Sequence, residues 1–373
     1  MHRRLTFVIH SLNGGGAERT LAAMANHWAR EGSEVTFVTL ASSEDDIYEL
    51  SASVTRVCLN GMQESSNVLQ AVISNFRRLF RLRRAIQDAK GDAVISFTDK
   101  VNILTLLACM GLRKRVVICE RVDPRRHEIG RSWSFLRRWT YAWCDTLVVQ
   151  TEGIRDFFRR FVPDSKVRVI ANAVQEPANA PTEHLQREPW IVAMGRLEKQ
   201  KGFDLLIEAF AQIAGKHPDW RLKILGEGSQ RKSLTDQIHA LGLEPSVELC
   251  GWVESPKTWI HKSEIFVLSS RYEGFPNALL EAMSAGVPVV SFACESGPLE
   301  IIRHEIDGLL VPDGDVEQLA RAIDRMILDP QERAAFGQRA LDVTERFSRD
   351  RFFQCWEAIL NAKSEGSADQ REA

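Results

Sequence analysis

Short apolar, β-branched runs alternate with stretches of helical periodicity along most of the chain. LTFVIHSL (5–12) reads as a strand, and a helical pattern follows from about Ala17 to Arg30. Strand patterns recur at 33–40, 92–97, 115–120, 146–150 and 166–172, mostly with helical patterns between them. Continuous apolar strands joined by helices predict a parallel sheet covered on both faces. The rhythm breaks at NAVQEPANAPTEHLQREP (172–189), whose proline, alanine and polar residues read as a linker. It restarts at 190–195 and continues at 221–226, 247–251, 265–270, 287–292 and 308–312. SRDRFFQCWEAIL (348–360) closes it as a helix with an apolar stripe. The expected class is α/β, with two Rossmann-like α/β/α domains facing a central cleft. Their bounds are 1–172 and 190–347, with a linker at 173–189. A final helix, 348–363, is expected to pack back toward the first domain, and the polar tail 364–373 to be disordered.

Composition sharpens this picture in three places. A length of 373 residues favours two domains over one core. Seven cysteines are scattered without any Cys-x-x-Cys, as expected of reduced thiols in a cytosolic protein, and neither they nor the nine histidines form a metal-ligand cluster. The N-terminal apolar run is one strand long, too short for a signal segment or a membrane span. Charge is divided unevenly. Residues 1–172 carry 26 Lys and Arg against 18 Asp and Glu, a balance of +8; residues 173–373 carry 22 against 32, a balance of −10. The first half therefore suits an anionic partner. Without a recognisable reader module, a nucleic-acid role is not expected.

Candidate chemistry gathers after the strands. SLNGGGAERT follows the first strand and opens the first helix. Its glycines let backbone N–H groups approach an anion at a helix N-terminus. Arg19 stands where a dinucleotide fingerprint needs its third glycine, so that motif fails. GRLEKQKGF (195–203) follows the first strand after the linker, placing Arg196 and Lys201 to reach a diphosphate. In RYEGFPNALLEAMSAGVPVV (271–290), Pro276 and Asn277 fit a helix start and Gly286 its end. The N–H groups of Asn277, Ala278 and Leu279 would face an anion, between the carboxylates of Glu273 and Glu281. Each carboxylate can accept hydrogen bonds from paired hydroxyls. A sugar, a diphosphate and a ribose would fit that order.

The stretch with Glu273 and Glu281 eight apart resembles the signature of retaining GT4-family glycosyltransferases of GT-B fold. GGGAE (14–18), NAV (172–174), ILGEG (224–228), GWV (251–253) and PLEII…DGLLVPDGD (298–315) extend the resemblance over nearly the whole chain. The GGGAE loop and CERVDP (119–124) are most similar to bacterial enzymes that build glycans on polyprenyl diphosphate from UDP-N-acetylhexosamines or UDP-hexoses. The resemblance implies that Glu281 binds ribose hydroxyls and Glu273 those of the transferred sugar. Backbone N–H groups of Phe275, Asn277, Ala278 and Leu279 would meet sugar and phosphate. Arg196 and Lys201 would neutralise the leaving diphosphate, Gly251, Trp252 and Val253 would line the base pocket, and Gly15 and Gly16 would approach the donor phosphate. No metal or other cofactor is expected. Family members often carry a histidine near the position of Arg121, where this chain reads ICERVDPRRH. Glu120 and Arg121 thus read equally as acceptor-binding residues or as a surface ion pair.

NFRRLFRLRRAIQDAK (75–90) reads as a basic amphipathic helix. Leu69, Phe76, Leu79, Phe80, Leu82 and Ile86 share one broad side, and Arg77, Arg78, Arg81 and Arg84 the other. Arg83 falls inside the apolar arc and must snorkel or find a partner. Such a helix suits anionic headgroups or a lipid diphosphate. A second cluster, from Arg125 to Arg138 with Trp133, Phe135, Trp139 and Trp143, would extend the face. The expectation is a cytoplasmic enzyme, peripheral on the inner membrane face, that moves a sugar from a UDP-sugar to a lipid-linked glycan. A UDP-sugar 2-epimerase of the same fold and a non-catalytic membrane scaffold are the competing readings.

Overall fold

The computed structural model describes residues 3–60, 68–174 and 186–362. Contacts divide the chain into two units: Met1–Ile170 with Gln354–Ala373, and Ala171–Phe353.

The first unit runs β1 (Arg4–Ile9), α1 (Gly16–Arg30), β2 (Glu34–Thr39), β3 (Val54–Cys58), α2 (Val68–Asp88), β4 (Ala93–Phe97), α3 (Asp99–Cys109), β5 (Arg115–Cys119), α4 (Arg131–Thr140), β6 (Thr146–Val149), α5 (Glu152–Phe158) and β7 (Val167–Val169). Its sheet has the order β3-β2-β1-β4-β5-β6-β7, and every neighbouring pair is parallel. β4 and β6 are buried along their whole length, as strands covered on both faces must be. On one face Phe7 stacks between Trp28 of α1, at 5.8 Å, and Phe37, at 6.2 Å. The last part of the final helix joins that face. Trp356 lies 6.2 Å from Phe97, and Glu357 accepts from Trp28 Nε1 at 2.9 Å and from the Arg3 fork at 2.9 and 2.8 Å. β3 has no counterpart in the periodic reading. It is an edge strand with Arg56 at its centre and half-exposed side chains, so its apolar signal is weak.

The second unit runs β8 (Glu188–Met194), α6 (Phe203–Ala214), β9 (Arg221–Leu225), α7 (Arg231–Ala240), β10 (Val247–Gly251), α8 (Pro256–Lys262), β11 (Ser263–Leu268), α9 (Asn277–Ser284), β12 (Val289–Phe292), α10 (Pro298–Ile301), β13 (Leu309–Val311), α11 (Val316–Leu328), α12 (Pro330–Ala340) and α13 (Val343–Arg346), and leads into α14 (Arg349–Asn361). Its parallel sheet has the order β10-β9-β8-β11-β12-β13. Successive β8 residues face two cores, Ile191 and Ala193 toward α6 and α11, Val192 toward α9. β8 starts at Glu188, so it takes in the last two residues expected in the linker. Pro189 is tolerated there because it lies at the start of the strand. Residues 175–185 of the linker and the tail 364–373 lie outside the described residues. Strand order reverses between β8 and β11, and at such a switch point a crevice opens beyond the carboxyl ends of the strands.

Candidate active site

Two loops leave the switch point, 195–202 after β8 and 269–276 after β11, and they are sewn together. Arg271 N–H donates to the Gln200 carbonyl at 2.8 Å, and Gln200 Nε2 to the Tyr272 carbonyl at 2.9 Å. Ser269 Oγ donates to the Lys201 carbonyl at 3.0 Å. Gly202 has φ +62°, and a Cβ there would lie 2.0 Å from the Ser269 carbonyl oxygen, so only glycine lets the loops meet. The Arg271 guanidinium straddles Asp204 at 2.7 and 2.6 Å and pins the start of α6 to the second loop.

This stitching brings Lys201 Nζ within 2.6 Å of Glu273 Oε1. Ser270 Oγ donates to the same oxygen at 2.6 Å. Glu273 is only 6% exposed. Among the described residues both its hydrogen bonds fall on Oε1, so Oε2 keeps acceptor capacity for a hydroxyl. Lys201 and Glu273 were assigned separately to phosphate and sugar, and they form one ion pair. Arg196 is exposed; its charge acts on Glu198 and Tyr272, and it makes no ion pair with Glu273 or Glu281 among the described residues.

Helix α9 begins where expected, but its first turn differs. Pro276 holds the cap position and Asn277 is the first helical residue. Leu279 N–H already donates to the Pro276 carbonyl at 3.2 Å, so the tight first turn removes it from the anion-facing set. Asn277 and Ala278 remain at the helix mouth, with Phe275 buried just before them. Glu281, 6% exposed, lies in the second turn. Gly297, at φ +88°, lets the loop after β12 press on Pro276, and Ser296 Oγ donates to the Gly274 carbonyl at 3.1 Å. Burial, and then the charge of Glu273, push the neighbouring Cys294 thiol up to about 12, so it is not a nucleophile.

The loops after β9 and β10 complete this edge. A Cβ on Gly226 would lie 2.0 Å from the Gly195 carbonyl oxygen, and one on Gly228 would lie 2.5 Å from that of Leu197. The ILGEG glycines therefore permit backbone-to-backbone packing on the GRLEK loop. Gly226 N–H donates to the Gly251 carbonyl at 2.8 Å. Beyond Gly251, Trp252 is exposed at the edge, and Val253 packs on the α9 core.

In the first unit the glycine loop opens α1, with Gly15 at the cap and Gly16 as its first residue. A Cβ on Gly15 would lie 1.9 Å from Glu18 Oε2. The chain's own carboxylate therefore lies over the helix mouth, where an anion is favoured. Glu120 and Arg121 are not a surface ion pair. They are 2% and 8% exposed, and they face different partners across the end of β5. Tyr141 OH donates to Glu120. Burial, reinforced by Asp99, pushes the Glu120 carboxyl up to about 7. Arg121 lies over the Phe97 ring at 4.4 Å with Cys119 Sγ at 3.7 Å, and burial lowers its pKa. Sequence reading did not assign a role to Ser270 or Asn172. A serine three residues before Glu273 was visible but carried no motif. Asn172 clasps the turn before α9: its Nδ2 donates to the Phe275 carbonyl at 3.1 Å and to Asn277 Oδ1 at 2.7 Å. Val174 N–H donates to the Phe347 carbonyl at 2.9 Å, and the Phe347 ring meets the Phe275 ring edge-on at 5.3 Å.

Comparisons with known proteins decide what this edge belongs to. The family described as "Glycosyltransferase Family 4" matches residues 14–176, and "Glycosyl transferases group 1" matches 175–343. The chain is a glycosyltransferase with a family 4 domain followed by a group 1 domain. It is 28% identical over 359 residues to a Campylobacter jejuni N-acetyl-D-galactosaminyltransferase named for a diphospho-undecaprenol glycan, covering 96% of this chain and 98% of that one. A second Campylobacter jejuni N-acetylgalactosaminyltransferase, also named for a diphospho-undecaprenol sugar, is 27% identical over 93% of this chain and 96% of its own. HepE of Anabaena, solved with UDP and glucose, has the same fold: TM-score 0.82, 20% identity, 97% of this chain and 100% of HepE. None of these relatives supports the epimerase reading.

The basic helix of this glycosyltransferase has only part of its apolar side covered. Leu82 and Ile86 are buried and Leu79 half-buried, but Phe76 and Phe80 are 71% and 70% exposed. The Leu69 side chain lies outside the described residues. Arg77, Arg81 and Arg84 are exposed and Arg78 is half-buried. Arg83 does find a partner: its Nη1 donates to the carbonyls of Ala108 and Met110 at the end of α3, at 2.8 and 2.7 Å. In the second cluster Arg137 is buried under Phe157, and Arg125 is tied to Asp123. Phe135, Trp139 and Trp143 are exposed. Among the described residues, no helix is long and apolar enough to cross a membrane.

Proposed function

We propose that this glycosyltransferase moves a hexose or N-acetylhexosamine from a UDP-sugar to a hydroxyl of a polyprenyl-diphosphate-linked glycan, with retention and without a metal. The observation that carries the reading is the Lys201–Glu273 pair at the switch point, in the loops that lead into α6 and α9, with Glu281 buried in the second turn of α9. Glu273 Oε2 would accept from the transferred sugar and Glu281 from the ribose. Lys201, Arg196 and the Asn277 and Ala278 N–H groups would stabilise negative charge growing on the UDP as the sugar–phosphate bond breaks. Gly251, Trp252 and Val253 would take the base. With Oε1 held by Lys201 and Ser270 and Oε2 assigned to a sugar hydroxyl, Glu273 is not asked to act as a nucleophile. Retention then follows from attack on the face the UDP leaves. The acceptor oxygen bonds to the sugar carbon, and its proton passes to the departing phosphate oxygen. The two Campylobacter relatives support the lipid diphosphate acceptor, and HepE supports UDP.

The acceptor places the enzyme at a membrane, proposed as the cytoplasmic leaflet. Arg77, Arg78, Arg81 and Arg84 suit its anionic surface, and exposed Phe76 and Phe80 suit its interface. α3 packs against both α2 and α4; exposed Phe135 and Trp139 of α4, with Trp143 just after it, would add to the same contact. Transfer is tested by incubating the protein with a panel of UDP-sugars and short polyprenyl-diphosphate acceptors, with and without EDTA, and reading the anomeric configuration of the product by NMR. The expected result is an α-linked product from an α-linked donor, unaffected by EDTA. Glu273→Gln should lower kcat by about 100-fold or more. An inverted product or an EDTA-sensitive rate would sink the mechanism, and an epimerised UDP-sugar without acceptor would sink the reaction class.

A further inference from the structure

The first unit has a switch point of its own. Its strand order reverses between β1 and β4, so a crevice opens beyond the carboxyl ends of those two strands. The backbone there is strained. Thr98, the residue after β4, has φ +75°, which a β-branched side chain rarely adopts. Thr98 N–H and Asn102 Nδ2 both donate to the Cys119 carbonyl, at 3.1 and 2.9 Å, and lash the start of α3 to the end of β5. Beyond β5 the chain turns on Asp123. The Asp123 carbonyl accepts from His127 N–H at 3.0 Å, and its carboxylate from the Arg125 N–H and Nε, both at 2.9 Å. Together these bonds bring His127 Nε2 to 3.3 Å from Oδ2 of Asp99, the first residue of α3.

An ionised carboxylate can only accept, so the imidazole nitrogen facing Asp99 carries the hydrogen. Against the upward pull of burial, His127 and the Lys100 N–H hold Asp99 below the usual carboxylate range, and it stays ionised. In the neutral ring Nδ1 is then an acceptor. Nδ1 has no hydrogen-bond partner among the described residues, and it is not buried. The His127 side chain is 42% exposed against 14% for Asp99, so the ring is the outer member of the pair. In the reading above, the sugar, diphosphate and base of the donor each have a holder in the second unit, and transfer needs a second sugar. We propose that His127, oriented by Asp99, is a subsite for a hydroxyl of the acceptor sugar. The attacking hydroxyl gives its proton to the departing phosphate, so Nδ1 takes a neighbouring hydroxyl. Asp99 is the positioning residue. The proposal rests on the UDP-sugar reading above.

The test uses the full chain with the UDP-sugar and the polyprenyl-diphosphate acceptor that it turns over best. Versions of that acceptor each lack one hydroxyl of the terminal sugar. His127→Phe keeps a ring and removes both nitrogens, and His127→Gln keeps an acceptor oxygen. Thermal unfolding of each checks that it is folded. The KM for the acceptor should rise about 10-fold in His127→Phe and less in His127→Gln, with the KM for the UDP-sugar unchanged in both. Asp99→Ala, which frees the ring, should move the acceptor KM in the same direction. One deoxy acceptor should cost the parent the same factor and cost His127→Phe nothing more, because both changes remove one contact. Losses that add for every deoxy acceptor, or a donor KM that rises as much as the acceptor KM, would mean that His127 only supports the fold, and the proposal falls. A His127→Phe variant that handles the acceptor like the parent also overturns it, while the UDP-sugar reading survives. A folded parent that turns over no UDP-sugar overturns both.

Discussion

Glu120 shows how one residue's surroundings translate into a measurable property. It is held in a buried cluster with Tyr141, and it faces Asp99 at the start of α3, Arg137 on α4 and His127 in the loop between. Its pKa rises from 4.5 to about 7 through burial, then Asp99. The folded chain therefore holds more protons than the unfolded chain between pH 4.5 and 7, so stability falls as pH rises through that window. The contribution is on the order of 3 kcal/mol. Glu120→Gln can still accept from Tyr141 and carries no charge. Its unfolding midpoint should lose this pH dependence and exceed the parent's at pH 8, as urea titrations at several pH values would show. A variant whose midpoint tracks the parent's at each pH would refute the assignment. Glu273 and Glu281 were legible in sequence because a stretch of nine residues contains both and the helix start between them. The bond from Asn172 to Phe275 spans 103 residues and leaves no local trace. Neither did burial of Glu120 and Arg121, since nothing in ICERVDP says which side chains the next strand will cover.

At the scale of elements, the spacing in α2 marks a helix with an apolar side but does not say how much of that side the fold covers. Periodicity predicts which residues share a side, but burial depends on how wide a surface the neighbours offer. The sheet and α3 cover Leu82 and Ile86 and stop short of Phe76 and Phe80. Arg83 inside the apolar arc is explained by the end of α3, whose last carbonyls need donors and favour a cation. Arg83→Ala should cost about 1–3 kcal/mol in chemical denaturation without altering UDP binding. A change within experimental error would show that water satisfies those carbonyls equally well. The edge strand β3 was missed for a similar reason: half-exposed strands carry little apolar signal.

Across the whole molecule, strand runs and helical spacing made both parallel sheets legible, because strands buried on two faces are written as unbroken apolar runs. The charge asymmetry was legible too, but its target was not. Flotation with anionic liposomes should recover the chain at low salt and progressively less as salt rises. Arg77→Glu/Arg81→Glu/Arg84→Glu should abolish recovery, and Phe76→Ser/Phe80→Ser should weaken it by roughly tenfold or more. Recovery that ignores both sets would remove the membrane from the account. The clasps on the α9 turn bear on how such enzymes are recombined. The matched segment 175–343 contains the turn but neither Asn172 nor Phe347. A chimera cut at those limits would inherit the proposed donor site with fastenings that belong to another parent. Crossovers at 170/171 and 353/354 would carry pocket and fastenings together, and are where a graft of donor preference should be made.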